Sequence, residues 1–205
     1  SHNVCRVISH LAQAFNNPEV EMLYTDEVKF PLFQTATHHW THRETAEGDR
    51  PVYNRRTDQE TKITVIAICS TSRMIAAQAF LREVTGQDFL YFLNRVLSTL
   101  PTTKIYSILA DNAKWHHANV VAESAANRFL FFNEPRMFYL NIIENSFSYI
   151  RSAFRKRPYF HSVEEEAREI LRIVLDESSF QKFKGLYRHH LRQLIRLFEE
   201  HSRLK

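Results

Sequence analysis

Lys104-Ile105-Tyr106-Ser107-Ile108-Leu109-Ala110-Asp111-Asn112-Ala113-Lys114-Trp115-His116 decides the reading of this chain. Its first seven residues are apolar and β-branched enough to form a buried strand, and Asp111 stands where that strand ends. A strand end is where an α/β sheet aims polar groups into a crevice, because the rigid sheet holds them still. Upstream, Val20-Glu21-Met22-Leu23-Tyr24-Thr25-Asp26 repeats the pattern: a short apolar strand that delivers an acid at its C-terminal end. Downstream, Glu144 falls on a segment of helical period running to about Arg157 and stopped by Pro158.

The elements between these acids give the fold class. Residues 1–18 read as a helix ending near Asn16-Asn17-Pro18. Residues 31–60, with Trp40, Gly48 and Pro51, read as a β-hairpin with a long connection. Ile63 to Cys69 is a β-branched strand, and Arg73 to Phe80 its partner across the turn Ser70-Thr71-Ser72. Phe89, Phe92, Leu93, Val96, Leu97 and Leu100 have helical spacing, and Pro101 ends that helix. A helix is expected through Val120 to Asn127, and a short buried strand at Phe129 to Phe132. Two helices close the chain, Ser162 to Asp176 behind the pattern Ser162-Val163-Glu164-Glu165, and Phe180 to about His201. Antiparallel strands followed by alternating α/β units predict a mixed sheet with helices on its faces. The expected organisation is an N-terminal helix or linker at 1–18, a catalytic domain at 19–158 and a C-terminal helical extension at 159–205.

Composition narrows the function classes. The 205 residues suffice for one sizeable core, and 44% are apolar. With three glycines and neither GxGxxG nor GxxxxGK[ST], nothing supports a nucleotide cofactor bound on a glycine-rich loop. Cys5 and Cys69 lack metal-ligand spacing, and Cys69 reads as a buried thiol suited to a reducing compartment, the nucleus in a eukaryote and otherwise the cytoplasm. No apolar run approaches membrane-spanning length and the first residues show no signal-peptide pattern, so no membrane partner is expected. The net charge is +4, and its excess is local: from Arg151 onward there are 13 Lys and Arg against 8 Asp and Glu. That basic end suits a polyanion.

Three carboxylates brought together repel one another unless a cation neutralises them, and hard oxygen donors select Mg²⁺ or Mn²⁺. Two such ions about 3.5–4 Å apart can activate an attacking oxygen and stabilise a leaving oxygen in phosphoryl displacement. With 23 Asp and Glu in the chain, spacing alone does not single out Asp26, Asp111 and Glu144 from solvated surface acids; the strings around them do.

Asp111-Asn112-Ala113-Lys114-Trp115-His116 resembles the DN-A-x-x-H signature of mariner-like DDE transposases. Leu140-Asn141-Ile142-Ile143-Glu144-Asn145-Ser146-Phe147 resembles their L-N-P-I-E-N-x-W/F segment, and Tyr24-Thr25-Asp26-Glu27-Val28-Lys29-Phe30 their first-acid string. Trp40 and Gly48-Asp49-Arg50-Pro51 stand where the family has a Trp and a G-x-x-P. Thirty-two residues separate Asp111 from Glu144, within the family's range, and the likeness runs from about residue 20 to 157. Two departures are visible: Ile142 replaces the family's proline, and its P-x-Y-S-P-x-L-N lead-in is reduced to Pro135-Arg136-Met137-Phe138-Tyr139-Leu140-Asn141.

The resemblance implies an RNase H-like fold with a five-stranded mixed sheet. It implies a two-metal site of Mg²⁺ or Mn²⁺ on Asp26, Asp111 and Glu144, and DNA cleavage followed by strand transfer. Its partners would be transposon-end and target DNA, with the protein as a homodimer. A transposase-derived host protein acting as a non-enzymatic DNA-binding or interaction module is the alternative, and a nuclease that no longer integrates is a third. The family's N-terminal helix-turn-helix reader has no room in residues 1–18, so the chain reads as a core from a longer protein or as a relative without its reader.

Supporting residues divide by geometry. Glu27 adjoins Asp26 and should point to the opposite face, which argues against a role as ligand. Asn112 reads equally as a turn or cap residue and as one that orients an acid. His116 is drawn into the site by the family string, with the scissile phosphate or an acid as its target. Lys114, Arg151, Arg155 and Lys156 could track a DNA backbone, as could the row Arg188, Arg192 and Arg196. The pairs His38-His39, His116-His117 and His189-His190 lack zinc spacing and read as surface or packing residues. Phe129, Phe131, Phe132 and Phe147 read as core.

Overall fold

The computed structural model describes residues 17–31, 62–133, 140–156, 160, 162–176 and scattered positions within 7–16 and 185–200. The hairpin expected at 31–60, with Trp40, Gly48, Pro51 and His38-His39, lies outside them, as do Pro135 to Tyr139 and most of the helix expected from Phe180. The described positions between 185 and 200 are helical; Arg192 and Arg196 are exposed there, while Arg188 and His190 lie outside the description.

Five strands form one sheet: β1 (Val20–Pro31), β2 (Lys62–Ser70), β3 (Met74–Phe80), β4 (Ile105–Ala110) and β5 (Leu130–Phe132). Their order is β3-β2-β1-β4-β5. β1 pairs antiparallel with β2 and β2 with β3, whereas β4 runs parallel to both β1 and β5. This is the mixed sheet that hairpin-then-α/β order predicts.

β1 corrects the strand reading. It has 12 residues, so Asp26 lies in its middle and not at its end. The parallel ladder with β4 stops at Tyr24↔Leu109, while pairing with β2 continues through Asp26↔Ala67 to Pro31↔Lys62. Asp26 therefore lies just past the end of the β1–β4 ladder, which ends because β4 stops at Ala110 and not because β1 does. The apolar run misled because a central strand needs apolar residues only where both faces are covered. Beyond Asp26, β1 alternates between buried Val28 and Phe30 and exposed Lys29 and Pro31.

Helix α1 (Gly86–Thr99) covers one face of the sheet. Its Phe89, Phe92, Leu93 and Val96 pack with Leu23, Ile66, Ile68 and Ile108. Helices α3 (Ile143–Phe154) and α4 (Val163–Leu175) cover the other, packing on Tyr24, Val28, Phe30, Val65 and Leu109. Ile170, Ile173 and Val174, which the sequence assigns to a C-terminal extension, belong to this same core, as do Val7, Leu11 and Ala14 of the N-terminal helical segment. Cys69 is a buried thiol outside any disulfide among the described residues. No helix among the described residues is long and apolar enough to cross a membrane.

Two expected elements differ. The helix expected through Val120 to Asn127 is broken into a 3-10 turn at Lys114–His117, a four-residue α2 (Asn119–Ala122) and a second 3-10 turn at Ala125–Phe129. The sequence there lacks side-chain caps and a sustained apolar stripe, and short turns satisfy its backbone locally. β5 is half-buried throughout, not buried, because it is an edge strand.

The start of α1 is a complete capping box. Asp88 N–H donates to the Thr85 hydroxyl at 3.3 Å, and Thr85 N–H donates to the Asp88 carboxylate at 2.9 Å. Arg82 adds a two-pronged ion pair to Asp88 at 2.6 and 2.7 Å. The Arg82 hydrogen bonds outweigh burial and, joined by those of Thr85, hold the Asp88 carboxyl well below its usual range. A depressed carboxyl contributes stability above its unfolded value, near 3.9, and that contribution fades as pH falls toward the folded value. Thr85→Ala should cost about 1 kcal/mol. At this chain length that is a fall in melting temperature of roughly 2–4 °C. Asp88→Asn should flatten the acid limb of a melting-temperature profile between about pH 4 and 2.

Candidate active site

Asp26 and Asp111 are neighbours by register. Two residues beyond the last parallel pair, Tyr24↔Leu109, the same stagger sets Asp26 beside Asp111. Asp26 shares its face with Tyr24 and Val28, the face covered by α3, which carries Glu144 in its first turn. Glu27 lies on the α1 face, as strand alternation requires. Asp111, at the tip of β4, is close enough to act electrostatically on both.

The acids press on one another. Asp26 is 5% exposed. Burial first, then the charges of Asp111, Glu144 and Glu27, push its carboxyl well above the usual range, although the Glu27 N–H donates to its Oδ1 at 2.7 Å. Glu27 is raised too, by burial and then Asp111, with His116 opposing. Asp111 goes the other way. Burial works against its charge, but the hydrogen bond and charge of His116, the Ala113 N–H and the charge of His117 outweigh it and hold the carboxyl below its usual value. Asp111 is the acid kept ionised, and its side chain is 42% exposed.

His116 sits at the centre of this arrangement. Its side chain is fully buried, packed against Trp115 and Phe89 with ring centroids 3.7 and 4.3 Å away. Nδ1 is 2.7 Å from Asp111 Oδ1 and 3.1 Å from the Asp111 carbonyl oxygen. A carbonyl can only accept, so Nδ1 carries the hydrogen, and in the neutral ring Nε2 keeps a lone pair. That Nε2 and Glu27 Oε2 are both buried without a hydrogen-bond partner.

Donor atoms of Glu27, Asp111 and His116 lie within 4.8 Å of one another. Among the described residues this is the tight three-donor group, and it includes neither Asp26 nor Glu144. Glu27, which alternation argued against, thus joins the site from the other face because Asp111 stands just past the end of β4, between the two faces. Buried acceptors left unpaired are costly, about 1–3 kcal/mol each, and crowded acids worsen the cost. A divalent cation would relieve both, so these residues fit Mg²⁺ or Mn²⁺.

The remaining candidates are placed as follows. Asn112 is exposed and its Oδ1 accepts from the His117 ring, while Ala113 caps the following 3-10 turn without a side-chain bond. Lys114, Arg151, Arg155 and Lys156 are all exposed. His189 pairs with Gln193 on the C-terminal helical positions. Phe147 is fully buried, and Phe129, Phe131 and Phe132 are half-buried.

One residue had no assigned role in the sequence reading. Asn141 is buried, and its Nδ2 donates to the Thr25 carbonyl at 3.0 Å. The only signal for it was its place in the L-N-I-I-E string. Ile142, where the resembled family has proline, holds φ −63° and ψ −20°. That φ is the one a proline ring imposes, so the turn into α3 keeps its shape without the ring.

A family model described as DDE superfamily endonuclease matches residues 21–167, from β1 into α4. The chain belongs to the DDE superfamily endonucleases. Solved structures agree on the fold of this DDE endonuclease. The catalytic domain of Mos1 mariner transposase superposes with a TM-score of 0.61 at 16% identity, covering 96% of this chain and 87% of that one. The Mos1 mariner paired end complex with Mn gives 0.63 at 16% identity, covering 96% and 59%. The Mos1 strand transfer complex gives 0.61 at 13% identity, covering 96% and 58%. The fold is RNase H-like and mariner-like, and the chain spans a little under three-fifths of the Mos1 chain in those two complexes. No curated protein matches the sequence.

Proposed function

We propose that this DDE endonuclease domain is the catalytic core of a cut-and-paste DNA transposase, nicking DNA at transposon ends and joining the freed 3′-hydroxyl to target DNA. The observation that carries the reading is the set of half-buried and buried acids around Asp111, with two buried polar atoms, Glu27 Oε2 and His116 Nε2, left without a hydrogen-bond partner beside it. Asp26, Asp111 and Glu144 would hold divalent metal, with Glu27 and His116 completing the surroundings of Asp111. Bound there, Mg²⁺ or Mn²⁺ would lower the pKa of an attacking water or 3′-hydroxyl and stabilise the leaving oxygen. The two-metal arrangement is part of this proposal. It draws support from Mos1 complexes containing Mn and Mg.

The protein's own contribution is placement and charge. The β1–β4 register sets Asp26 beside Asp111, and His116 holds Asp111 ionised and oriented. Exposed Lys114, Arg151, Arg155 and Lys156 would neutralise DNA phosphates; Arg151 and Arg155 are one helical turn apart. Each phosphate contact contributes roughly 0.9 to the slope of log affinity against log salt. Arg151→Ala with Arg155→Ala should therefore lower that slope by about 2, read from fluorescence anisotropy on a labelled duplex at several salt concentrations. Homodimerisation, as paired DNA ends would require, belongs to the same proposal.

Nicking of supercoiled plasmid and joining of pre-cut ends, each with Mn²⁺, Mg²⁺ or EDTA, test the function. Metal-dependent nicks and joined products support a transposase, and nicks without joining reduce the reading to a nuclease. A folded protein that neither cuts nor binds Mn²⁺ would overturn it.

A further inference from the structure

Asn141 touches both acid-bearing elements at once. Its side-chain Nδ2 donates to the carbonyl of Thr25, the residue before Asp26, at 3.0 Å across 116 residues of sequence. Its own carbonyl accepts from Glu144 N–H at 3.2 Å. One residue thus links the backbone beside Asp26 to the backbone of Glu144. The place is significant. β1 loses β4 as a partner after Tyr24↔Leu109, so strand polar groups on that flank have no ladder to join. The Asn141 amide fills that need. On the other side the Thr25 hydroxyl donates to the Ala67 carbonyl at 3.0 Å, fixing the same peptide to β2.

Ile142, at the N-cap of α3, makes no side-chain cap hydrogen bond. Apolar packing of Ile142, Ile143 and Phe147 sets the depth of the helix but tolerates sliding, because burial is non-directional. A hydrogen bond at full burial does not tolerate it: a slip leaves both the carbonyl and the amide unpaired. We propose that Asn141 is a positioning residue that sets the Glu144 carboxylate against Asp26 by clamping the first turn of α3 to β1. The proposal rests on the metal-site reading above, and it goes further by making the third acid's placement depend on one amide.

The test compares Asn141→Leu, which keeps the volume and removes the donor, with Asn141→His, whose Nδ1–H reaches a similar point. Mn²⁺ affinity is read by electron paramagnetic resonance on each full chain, with melting temperature measured alongside and the Mg²⁺ concentration for half-maximal nicking as a second readout. Asn141→Leu should bind Mn²⁺ roughly 10- to 100-fold more weakly, the usual effect of losing a partner that orients a ligand, and need correspondingly more Mg²⁺. Asn141→His should recover most of the affinity. Wild-type Mn²⁺ affinity in folded Asn141→Leu would overturn the proposal. If Asn141→Leu does not fold, Asn141→His decides: near-wild-type binding supports the clamp, and a folded His variant with affinity lost refutes it. Failure of the wild-type chain itself to bind Mn²⁺ would instead sink the metal-site reading.

Discussion

Asp111→Asn is expected to lower metal-dependent nicking by roughly a thousandfold or more while leaving the fold intact. Metal-assisted stabilisation of a phosphoryl transition state is worth several kcal/mol, and each 1.36 kcal/mol is about tenfold in rate. Asp111 is the acid whose loss should matter most, because of Asp26, Glu27 and Asp111 it is the one held below its usual pKa, and its charge acts on both of the others. Asparagine keeps the shape and an oxygen that can accept from His116 and from Ala113 N–H. Only the charge goes.

The pH dependence of stability should weaken as well. Asp26 has a raised folded pKa, so its contribution is fully present below the unfolded value and is lost as pH rises through the folded one. The metal-free protein should therefore lose melting temperature as pH climbs above the ordinary carboxylate range. In Asp111→Asn one of the repelling charges is gone, and that loss should be smaller. Nicking assays paired with melting curves from pH 4 to 8 check both halves. An Asp111→Asn protein that nicks within tenfold of wild type would show that the chemistry lies elsewhere.

His116→Phe should have the next largest effect, a roughly 10- to 100-fold loss of nicking and Mn²⁺ affinity. Phenylalanine suits the enclosure formed by Trp115 and Phe89, so the core should stay filled. What disappears is the Nδ1–H bond to Asp111 and the buried Nε2 that has no hydrogen-bond partner. Without His116, burial acts on Asp111 with less opposition, and its carboxyl should titrate at higher pH than in wild type. The acid limb of the nicking profile should shift upward accordingly. A merely structural histidine would change melting temperature without moving that limb, so an unmoved limb with wild-type metal affinity counts against the role.

How much of this was visible in the sequence depended on what each element is made of. β2 and the Asp111 strand were legible because β-branched runs leave little alternative to a buried strand. α1 was legible from its apolar period, although its Thr85–Asp88 box passed unnoticed. β1 was cut short, since its second half is apolar on one face only and reads as mixed. The broken segment from Lys114 to Phe129 was read as more helical than it is, because a few apolar residues at near-helical spacing say nothing about missing caps. In the site, strand alternation correctly sent Asp26 and Glu27 to opposite faces. It failed to show that Asp111, one strand over and at its tip, would serve both. Asn141 was out of reach for a different reason: its partner is a backbone carbonyl, and backbone groups leave no residue-type signal.

The short ladder between β1 and β4 has a consequence for how this gene can vary. Its register runs through five pairs, Val20↔Ile105 to Tyr24↔Leu109. An extra codon inside residues 20–24 would turn the rest of the strand over, sending Asp26 and Glu27 each to the opposite face and moving Val28 and Phe30 off the face they are buried on. Codons gained after Pro31 or before Lys62, beyond the last β1–β2 pair, leave that parity untouched. Length variation among kin should therefore collect in the connection between those two points and be nearly absent from the five pairs.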